Sequence, residues 1–294
     1  MASQTIKKLL MVLLLAGLGS LPAVAADIQA SPDSTLTEII ERGELRIGLE
    51  VGYMPFEMID TRSGLRQKEI RHGGFRRQGR QLKMMGFDID VGIEMAKALD
   101  VKPVFVDTLW PSIIPALKLG RIDIIFGGMS VTEARKTQVD FADPFMTVGQ
   151  TVLLNARHQQ TVKSYRDLDD SVYTVVSKPG TTGEAAVLKM IPRASYMPVN
   201  TEMEGAMRVL EGKADAFVYD LPFNAVFKAM HPSEPLIFLD KPFTEEPVAW
   251  ALRKNDPDFM QFLNTFLAEL KADGRFDSIY DRWFNQTDWH RFAR

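Results

Sequence analysis

Two strand-to-helix junctions carry the residues that could bind a small charged ligand. The first, residues 127–135 (GGMSVTEAR), offers a serine hydroxyl and the Arg135 guanidinium beside free backbone amides. The second, residues 178–184 (KPGTTGE), has Thr181 and Thr182 opening a helix next to glycines. Unpaired N–H groups at a helix start attract anions, and glycine lets a ligand approach the backbone. The junctions therefore predict an anion-binding site, although ordinary N-capping explains either one alone.

The sequence contains few residues arranged for catalysis. Its four histidines lie far apart, and none has the His-x-x-x-His spacing found in zinc sites. The chain has no cysteine, no Gly-x-Ser-x-Gly motif and no phosphate loop. We therefore expect no metal, no cofactor and no catalytic residue.

Aromatic residues accompany the two junctions. Tyr53, Phe56 and Trp110 each follow a predicted strand. Open α/β sheets bind ligands at the edge where their strands end, so these side chains are candidates to pack against one. Taken singly, such residues are more often part of a core.

Strands and helices alternate along the chain, which favours mainly parallel sheets covered by helices. One series precedes Phe145 and another follows it, so the sequence predicts two α/β units. In the first series, Asp88 is expected to cap a helix. The predicted helices are 36–42, 88–99, 113–119, one from 132, 182–190, 202–211, 222–230, 257–272 and 276–284, and the predicted strands are 45–49, 101–106, 122–126, 172–176, 216–219 and 248–252.

Residues 1–26 predict an export signal. Two lysines precede an apolar run over residues 9–15, and an Ala-Val-Ala sequence at residues 23–25 is typical of a cleavage site near Ala25 or Ala26. The run is shorter than the roughly 20 residues that a membrane-spanning helix needs. No cysteine follows it for a lipid anchor. We therefore expect an exported protein.

Residues 61–85, termed the basic arm, interrupt the α/β pattern. The segment contains eight basic residues, one acidic residue and four glycines. We interpret it as an exposed loop or hairpin, and a docking patch for an acidic partner or lipid head groups is the alternative. The net charge of the whole chain is −3, which gives no reason to expect nucleic-acid binding.

Taken in order, these motifs resemble the family 3 periplasmic solute-binding proteins, the polar amino-acid receptors of ABC importers. The resemblance extends over nearly all of the chain after the signal, and its central stretch is the most specific. The matching stretches are ELRIGLEVGYMPFE, GFDIDVGIEMAKAL, WPSIIPALKLGRIDIIFGGMSVTEARKTQVDFADPF, SKPGTTGE, GKADAFVYD and LKADGRFDSIYDRWF.

The resemblance implies a two-lobed α/β fold, each lobe a mainly parallel sheet flanked by helices, with the ligand in the cleft between them. Lobe 1 is expected to be discontinuous, comprising residues 36–145 and 243–288, and lobe 2 to comprise residues 146–242. The two crossover strands are expected near residues 145–148 and 239–243.

The resemblance also assigns roles within the cleft. Arg135 is expected to pair with a ligand carboxylate, and Asp220 with the carbonyl of Gly128 is expected to hold the ammonium. Tyr53 and Trp110 are expected to sandwich the ligand side chain, with Phe56 behind them. Glu50 matches a position from which an acidic residue can reach a basic side chain. The full set of expected ligand-binding residues is Glu50, Tyr53, Phe56, Trp110, Gly128, Ser130, Arg135, Thr181, Thr182 and Asp220.

The function implied is non-catalytic capture of an amino acid, polar or basic, by a monomer in the periplasm. Its partners would be that ligand and the membrane subunits of an ABC permease. One alternative is an enzyme similar to cyclohexadienyl dehydratases, with Glu184 and Lys178 as acid and base. The other is a ligand-input protein for a separate sensor. The amino acid and the permease are not specified by the sequence.

Overall fold

The computed structural model describes residues 30–61 and 83–293. The predicted export signal lies outside these residues, as do residues 62–82 of the basic arm. Cleavage near Ala25 or Ala26 and an exposed loop or hairpin therefore stay predictions. Among helices in the described ranges, none is both long and apolar enough to cross a membrane.

Nine α-helices lie in the described part of the chain, and five of them begin at a capping side chain. The capping residues Ser34, Thr132, Thr181, Thr201 and Asp256 each accept a backbone N–H from the first turn. The helices are α1 (Thr35–Arg42), α2 (Phe87–Ala98), α3 (Trp110–Lys118), α4 (Glu133–Lys136), α5 (Thr182–Met190), α6 (Glu202–Leu210), α7 (Leu221–Met230), α8 (Pro257–Ala272) and α9 (Arg275–Tyr280).

Short strands alternate with these helices, as the sequence predicts. Most of the predicted strands are present within a few residues of their expected positions. The strands are β1 (Glu44–Leu49), β2 (Met58–Ile59), β3 (Met84–Met85), β4 (Lys102–Asp107), β5 (Ile124–Ile125), β6 (Asp140–Phe141), β7 (Met146–Val148), β8 (Gln150–Asn155), β9 (Thr174–Ser177), β10 (Ser195–Pro198), β11 (Ala216–Asp220), β12 (Leu236–Leu239), β13 (Glu246–Val248) and β14 (Ala251–Leu252).

The two five-stranded sheets have the same arrangement of parallel and antiparallel strands. The strand order is β4-β1-β5-β14-β6 in the first sheet and β10-β9-β11-β8-β12 in the second. In each sheet, three neighbouring strands are parallel and the remaining pairings are antiparallel. The predicted two-lobed α/β fold is confirmed, but the sheets are mixed. The reason is that β14 and β8, which directly follow a connection between the lobes, enter their sheets in the opposite direction.

The connection between the lobes is a two-stranded antiparallel ribbon of β7 and β13. β7 lies where the first crossover was predicted. β13 lies beyond the predicted residues 239–243, because the chain at Leu236–Leu239 is β12, which pairs with β8 in the second sheet. The predicted lobe boundaries at residues 145 and 243 stay a prediction.

Asp88 does not cap α2 as predicted. The helix begins at Phe87 after Gly86, whose φ is +141°, so Asp88 lies within the first turn. A Cβ at Gly86 would lie 2.1 Å from the carbonyl oxygen of Phe56, so only glycine fits there. The Asp88 carboxylate instead accepts the backbone N–H of Gly127 at 2.6 Å. This bond ties α2 to the first of the two junctions.

Large aromatic side chains fill the cores of both lobes. In the first lobe, Trp250 stacks on Phe126 with ring centroids 5.4 Å apart. In the second lobe, Phe217 stacks on Tyr219 at 5.2 Å. Packing of this kind holds the carboxyl ends of β1, β5, β9 and β11 in place, and the candidate site residues follow these strand ends.

Candidate functional site

A pocket lies between the lobes, where the loops after β1 and β5 face the loops after β9 and β11. About 340 Å³ of atom-free space lies within it, including space that is open to solvent. Nine of the ten residues predicted to bind a ligand line it, which brings both junctions to one place. These nine are Glu50, Tyr53, Trp110, Gly128, Ser130, Arg135, Thr181, Thr182 and Asp220.

Phe56 is the predicted residue that does not line the pocket. Its side chain is fully buried, and its ring stacks on that of Tyr53 with centroids 4.7 Å apart. Phe87 and Phe284 meet the same ring edge-on from the side of the core. Phe56 therefore supports Tyr53 from behind, as the resemblance implies, and its role in ligand binding stays a prediction.

Arg135 extends from α4 into one end of the pocket. Its Nη1 donates to the carbonyl of Ser130 at 2.8 Å, and its Nη2 donates across the cleft to the carbonyl of Gly180 at 3.2 Å. Burial lowers the pKa of Arg135, and the charge of Asp220 acts in the opposite direction. The guanidinium stays charged at any ordinary pH. It can therefore exchange carbonyl partners for a carboxylate, which it binds through two parallel bonds.

Asp220, at the end of β11, lies close enough to Arg135 for their charges to interact. Its Oδ2 accepts a hydrogen bond from the Tyr53 hydroxyl of the other lobe at 2.7 Å, and its Oδ1 accepts one from the Gln150 amide. Burial, together with the negative charge of Glu246, raises the pKa of Asp220 to about 7. A cation near such a desolvated carboxyl group favours its ionised form, so this end of the pocket suits an ammonium.

The predicted hydroxyl residues already have partners in the protein. Ser130 Oγ donates to Glu246 Oε2 at 2.8 Å, and Thr182 Oγ1 accepts from Gln150 Nε2 at 3.2 Å. Thr181 accepts a backbone N–H from the first turn of α5, so it combines the N-cap role with a place in the pocket wall. We term the group formed by Arg135, Asp220, Ser130 and Thr182 the arginine pole.

Lys178 lies between two carboxylates that line another part of the pocket. Its Nζ is 2.7 Å from Glu50 Oε2 and 2.7 Å from Glu202 Oε1. The side chains of all three residues are at most 6% exposed. Glu50 belongs to the first lobe, whereas Lys178 and Glu202 belong to the second, so one of these ion pairs crosses the cleft. These three residues and Glu57, described below, form the acidic pole.

The shared ammonium affects the two ion pairs unequally. Burial lowers the pKa of Lys178, but the charges of Glu202 and Glu50 outweigh it, so the net shift is upward. The pKa of Glu50 is also raised, because burial outweighs the attraction of Lys178. The first shift favours the ion pair and the second opposes it. One ammonium can neutralise only one of the two carboxylates, so when both are ionised one unit of negative charge has no cationic partner among the described residues.

Glu57 and Asp88 are two further buried carboxyl groups, 1% and 0% exposed, that both lie near Gly127 and each have one oxygen without a hydrogen-bond donor in the described residues. Glu57 lines the pocket, and a Cβ at Gly127 would lie 3.3 Å from its Oε1. Burial raises the pKa of Asp88 to about 7, and burial with the Asp88 charge raises that of Glu57 well above its usual range. Two neighbouring carboxyl groups can bond to each other only when one of them is protonated, and both raised pKa values favour such a proton at neutral pH.

Four lining residues were not predicted to bind a ligand: Glu57, Gly127, Glu202 and Tyr219. Glu57 ends the motif YMPFE and Gly127 begins GGMSVTEAR, so adjacency to predicted residues was an available signal. Tyr219 precedes Asp220, and its hydroxyl donates to Glu202 at 2.8 Å. Glu202 had no signal beyond its position at a predicted helix start.

Glu184 and Lys178, the acid and base considered for catalysis, are not partners. Glu184 does not line the pocket, and its carboxylate accepts hydrogen bonds from the Gly180 N–H at 2.8 Å and the Tyr196 hydroxyl at 3.0 Å. Lys178 pairs within the pocket with Glu202 instead. Within residues 30–61 and 83–293, no cluster of three or more histidine, aspartate or glutamate side chains could hold a metal ion.

The two lobes contact each other directly across the pocket. The Tyr53 hydroxyl bonds to Asp220, and the Trp110 indole N–H donates to the carbonyl of Gly180 at 3.0 Å. The Arg135–Gly180 bond and the Lys178–Glu50 ion pair also cross the cleft. The structure is therefore a closed form, in which groups of both lobes surround one small volume.

Residues 73–286 match the family model for bacterial extracellular solute-binding proteins, family 3. The match covers more than half of the chain. The chain belongs to this family. The resemblance carried by its motifs is thereby confirmed, and so is its identity as a solute-binding protein.

Individual relatives of this solute-binding protein include binders and an enzyme. It is 41% identical to a binding component of an ABC transporter from Wolinella succinogenes, solved with lysine, over 85% of this chain and 99% of that one, with a TM-score of 0.75. It is 28% identical to the glutamine-binding protein of an ABC transporter from Bacillus subtilis, over 94% of this chain and 93% of that protein. It is 24% identical to the cyclohexadienyl dehydratase of Pseudomonas aeruginosa, over 88% and 89%.

Proposed function

We propose that this solute-binding protein captures a cationic amino acid, such as lysine or arginine, in the periplasm and delivers it to an ABC permease. The observation that carries the proposal is the uncompensated negative charge at the acidic pole, in the same pocket as the arginine pole. The ligand carboxylate pairs with Arg135 and its α-ammonium with Asp220. The cationic side chain then supplies the charge that the acidic pole lacks.

The charges that line the pocket support a cationic ligand over a neutral one. Four carboxyl groups line it, from Glu50, Glu57, Glu202 and Asp220, against the single lining guanidinium of Arg135. Lys178 offsets one of the four, and the Glu57 proton another. Because an unpaired charge in a desolvated site is costly, a negative surplus selects a ligand of net positive charge. The lysine complex of the Wolinella relative agrees with this ligand class.

Closure of the cleft follows from the same contacts. Arg135 lies in the first lobe and Asp220 in the second, so only the closed form can hold both ends of an amino acid. A ligand with contacts in both lobes binds this form more tightly and shifts the population towards it. We also propose that the lobes divide at residues 145 and 243. A separate sensor in place of a permease would use the same closure.

Calorimetry with L-lysine, L-arginine and neutral amino acids tests the proposal. The decarboxylated analogue cadaverine and the deaminated analogue 6-aminohexanoate each leave one buried charge of the arginine pole unpaired. Each should lose about 2 to 5 kcal/mol of binding free energy relative to L-lysine, which is roughly 30-fold to several thousand-fold in affinity.

Variants of two arginines provide the matching test in the protein. Arg135→Ala should remain folded and bind none of the amino acids. The control is Arg193→Ala, because the Arg193 side chain is 75% exposed in its ion pair with Asp169 and lies outside the pocket. Near-native affinity in Arg135→Ala would contradict the proposed site.

A dehydratase reaction is the second candidate function. It is favoured by the Lys178–Glu202 ion pair beside the pocket, which could serve as acid and base. We expect no turnover of prephenate or arogenate, because both carry net negative charge into a pocket with a negative surplus. Product formation that is lost in Glu202→Gln and kept in Glu184→Gln would establish an enzyme instead.

A further inference from the structure

The buried pair of Glu57 and Asp88 has no part in the binding scheme above. Glu57 Oε2 and Asp88 Oδ1 have no donor as hydrogen-bond partner within the described ranges, and both carboxyl groups lie near Gly127. Two carboxyl groups in direct contact share a proton, since neither offers a donor when both are ionised. The pocket wall therefore contains a carboxyl group that is neutral in the ligand-free protein.

We propose that Glu57 is a specificity-determining residue, which releases this proton when the cationic side chain of the ligand enters the acidic pole. The proposal rests on the proposed function, because it takes a cationic amino acid to be the ligand. It adds that the positive charge of the ligand is shared: besides the surplus of Glu50 and Glu202, it favours the ionised form of Glu57, so up to one proton leaves as the ligand enters.

Glu57, and not Asp88, is the group that gives up the proton. Asp88 accepts the backbone N–H of Gly127 at 2.6 Å, which favours the anion on Asp88 over the anion on Glu57. Glu57 has no such donors in the described residues, and its Oε1 lies over Gly127 at the pocket wall. A ligand cation can therefore approach Glu57 directly, whereas Asp88 lies behind it.

Other charges around Glu57 act in both directions. The negative charges of Asp88 and Glu202 oppose its ionisation, and the ammonium of Lys178 favours it. The Tyr53 hydroxyl, whose pKa burial and nearby carboxylates raise, stays neutral beside it. A second ammonium in the acidic pole acts as Lys178 does and lowers the pKa of Glu57. Proton release follows from this added positive charge.

Two other carboxyl groups of the pocket can exchange protons on binding and must be separated from Glu57. Asp220 titrates near neutral pH and meets the α-ammonium that every amino acid carries. L-lysine and L-norleucine share this head group and differ in the side-chain ammonium, so their difference removes the Asp220 contribution. Glu50, which contacts Lys178, is separated by the variant Glu50→Gln.

The experiment is calorimetry in two buffers of different ionisation enthalpy, with L-lysine and L-norleucine as probes and the intact protein. We expect L-lysine to release up to about one proton more than L-norleucine. The affinity for L-lysine relative to L-norleucine should then rise with pH by up to about tenfold per pH unit. Glu57→Gln should abolish this difference.

Two controls identify the source of the proton. Glu50→Gln should bind more weakly and still release the lysine-dependent proton. Glu211→Gln, at a side chain 44% exposed in a surface ion pair with Lys213, should behave as the wild type. Should Glu57→Gln fail to fold, the wild-type difference between the two ligands still decides.

Equal proton release for both ligands would overturn the inference, and so would a lysine-dependent release that persists in Glu57→Gln. In either case, binding of L-lysine would leave the proposed function standing. Release that is lost in Glu50→Gln alone would assign the proton to Glu50 and also overturn it. Absence of binding by any amino acid would reject the proposed function, and this inference with it.

Discussion

Replacing Lys178 with methionine should destabilise the ligand-free protein strongly. Methionine keeps an unbranched side chain but removes the ammonium, so both 2.7 Å ion pairs, with Glu50 and Glu202, are lost. Removing one partner of a buried ion pair costs about 3 to 5 kcal/mol, because the remaining charge stays desolvated. Opening of the cleft would hydrate both carboxylates, so we expect the lower value, about 3 kcal/mol. For a chain of this size, that lowers the melting temperature by about 6 to 12 °C.

The loss should diminish as the pH falls. Without the ammonium, burial raises the pKa of Glu50 further above its unfolded value. A carboxyl group with a raised folded-state pKa stabilises the fold below its unfolded pKa and loses that contribution as the pH rises through the folded value. The variant should therefore melt far below the wild type at a pH of about 8 and close to it at a pH of about 4.5.

Thermal unfolding at these two pH values, followed by circular dichroism, checks the prediction. The matched control is Lys213→Met, which removes an ion pair with Glu211 in which the side chains are 65% and 44% exposed. An exposed pair contributes less than about 1 kcal/mol. Equal losses in the two variants, or a loss in Lys178→Met of the same size at both pH values, would refute the reasoning.

Three further predictions concern the pocket and the basic arm. Asp220→Asn should abolish amino-acid binding in calorimetry. It should also raise the melting temperature of the ligand-free protein above pH 7, because a carboxyl group with its pKa raised to about 7 loses its stabilising contribution as the pH rises through that value. A lower melting temperature above pH 7 would contradict this. Gly128→Ala should melt at a lower temperature than Gly274→Ala. Gly128 has φ +62°, and a Cβ there would lie 2.5 Å from Tyr53 Cε1, whereas Gly274 has φ +81° with open space around it and should lose only about 1 kcal/mol of stability on substitution. The reverse order of melting temperatures would count against the predicted clash. Replacing residues 62–82 with a short Gly/Ser turn should leave the affinity for L-lysine within about twofold, because a polar, glycine-rich segment buries little; a loss above about tenfold would give the arm a role at the pocket.

Local sequence signals predicted those helices and strands whose capping residues and apolar spacing agree with their packing in the fold. α5 and α8 span the predicted residues 182–190 and 257–272, because Thr181 and Asp256 cap their first turns and apolar residues follow at helical spacing. β8 was not predicted, since every residue from Gln150 to Asn155 is buried and the alternation of a half-buried strand is absent. The second crossover was misplaced for a related reason: β12 is an ordinary sheet strand, and only its pairing with β8 reveals this.

The candidate site could be predicted at its junctions but not in its charge pairing. Glu50 was expected to reach a basic ligand, whereas its nearest cation in the structure is Lys178 of the same chain. That contact depends on closure of two lobes, which no local pattern encodes. Asp88 was interpreted as a helix cap because its position fits one, and its pairing with Glu57 exists only because Gly86 lets the chain pass close to Phe56.

The contacts of the closed form also indicate how the pocket selects among amino acids. To bind a ligand carboxylate, Arg135 gives up the carbonyls of Ser130 and Gly180, and Asp220 gives up the Tyr53 hydroxyl for an ammonium. Each exchange replaces a neutral partner of a charged group by a charged one, so the head group contributes only the difference between the two bonds. Every amino acid makes that same exchange. At the acidic pole, in contrast, a cationic side chain meets a negative charge that no group of the described residues compensates, so discrimination among amino acids must come mainly from there.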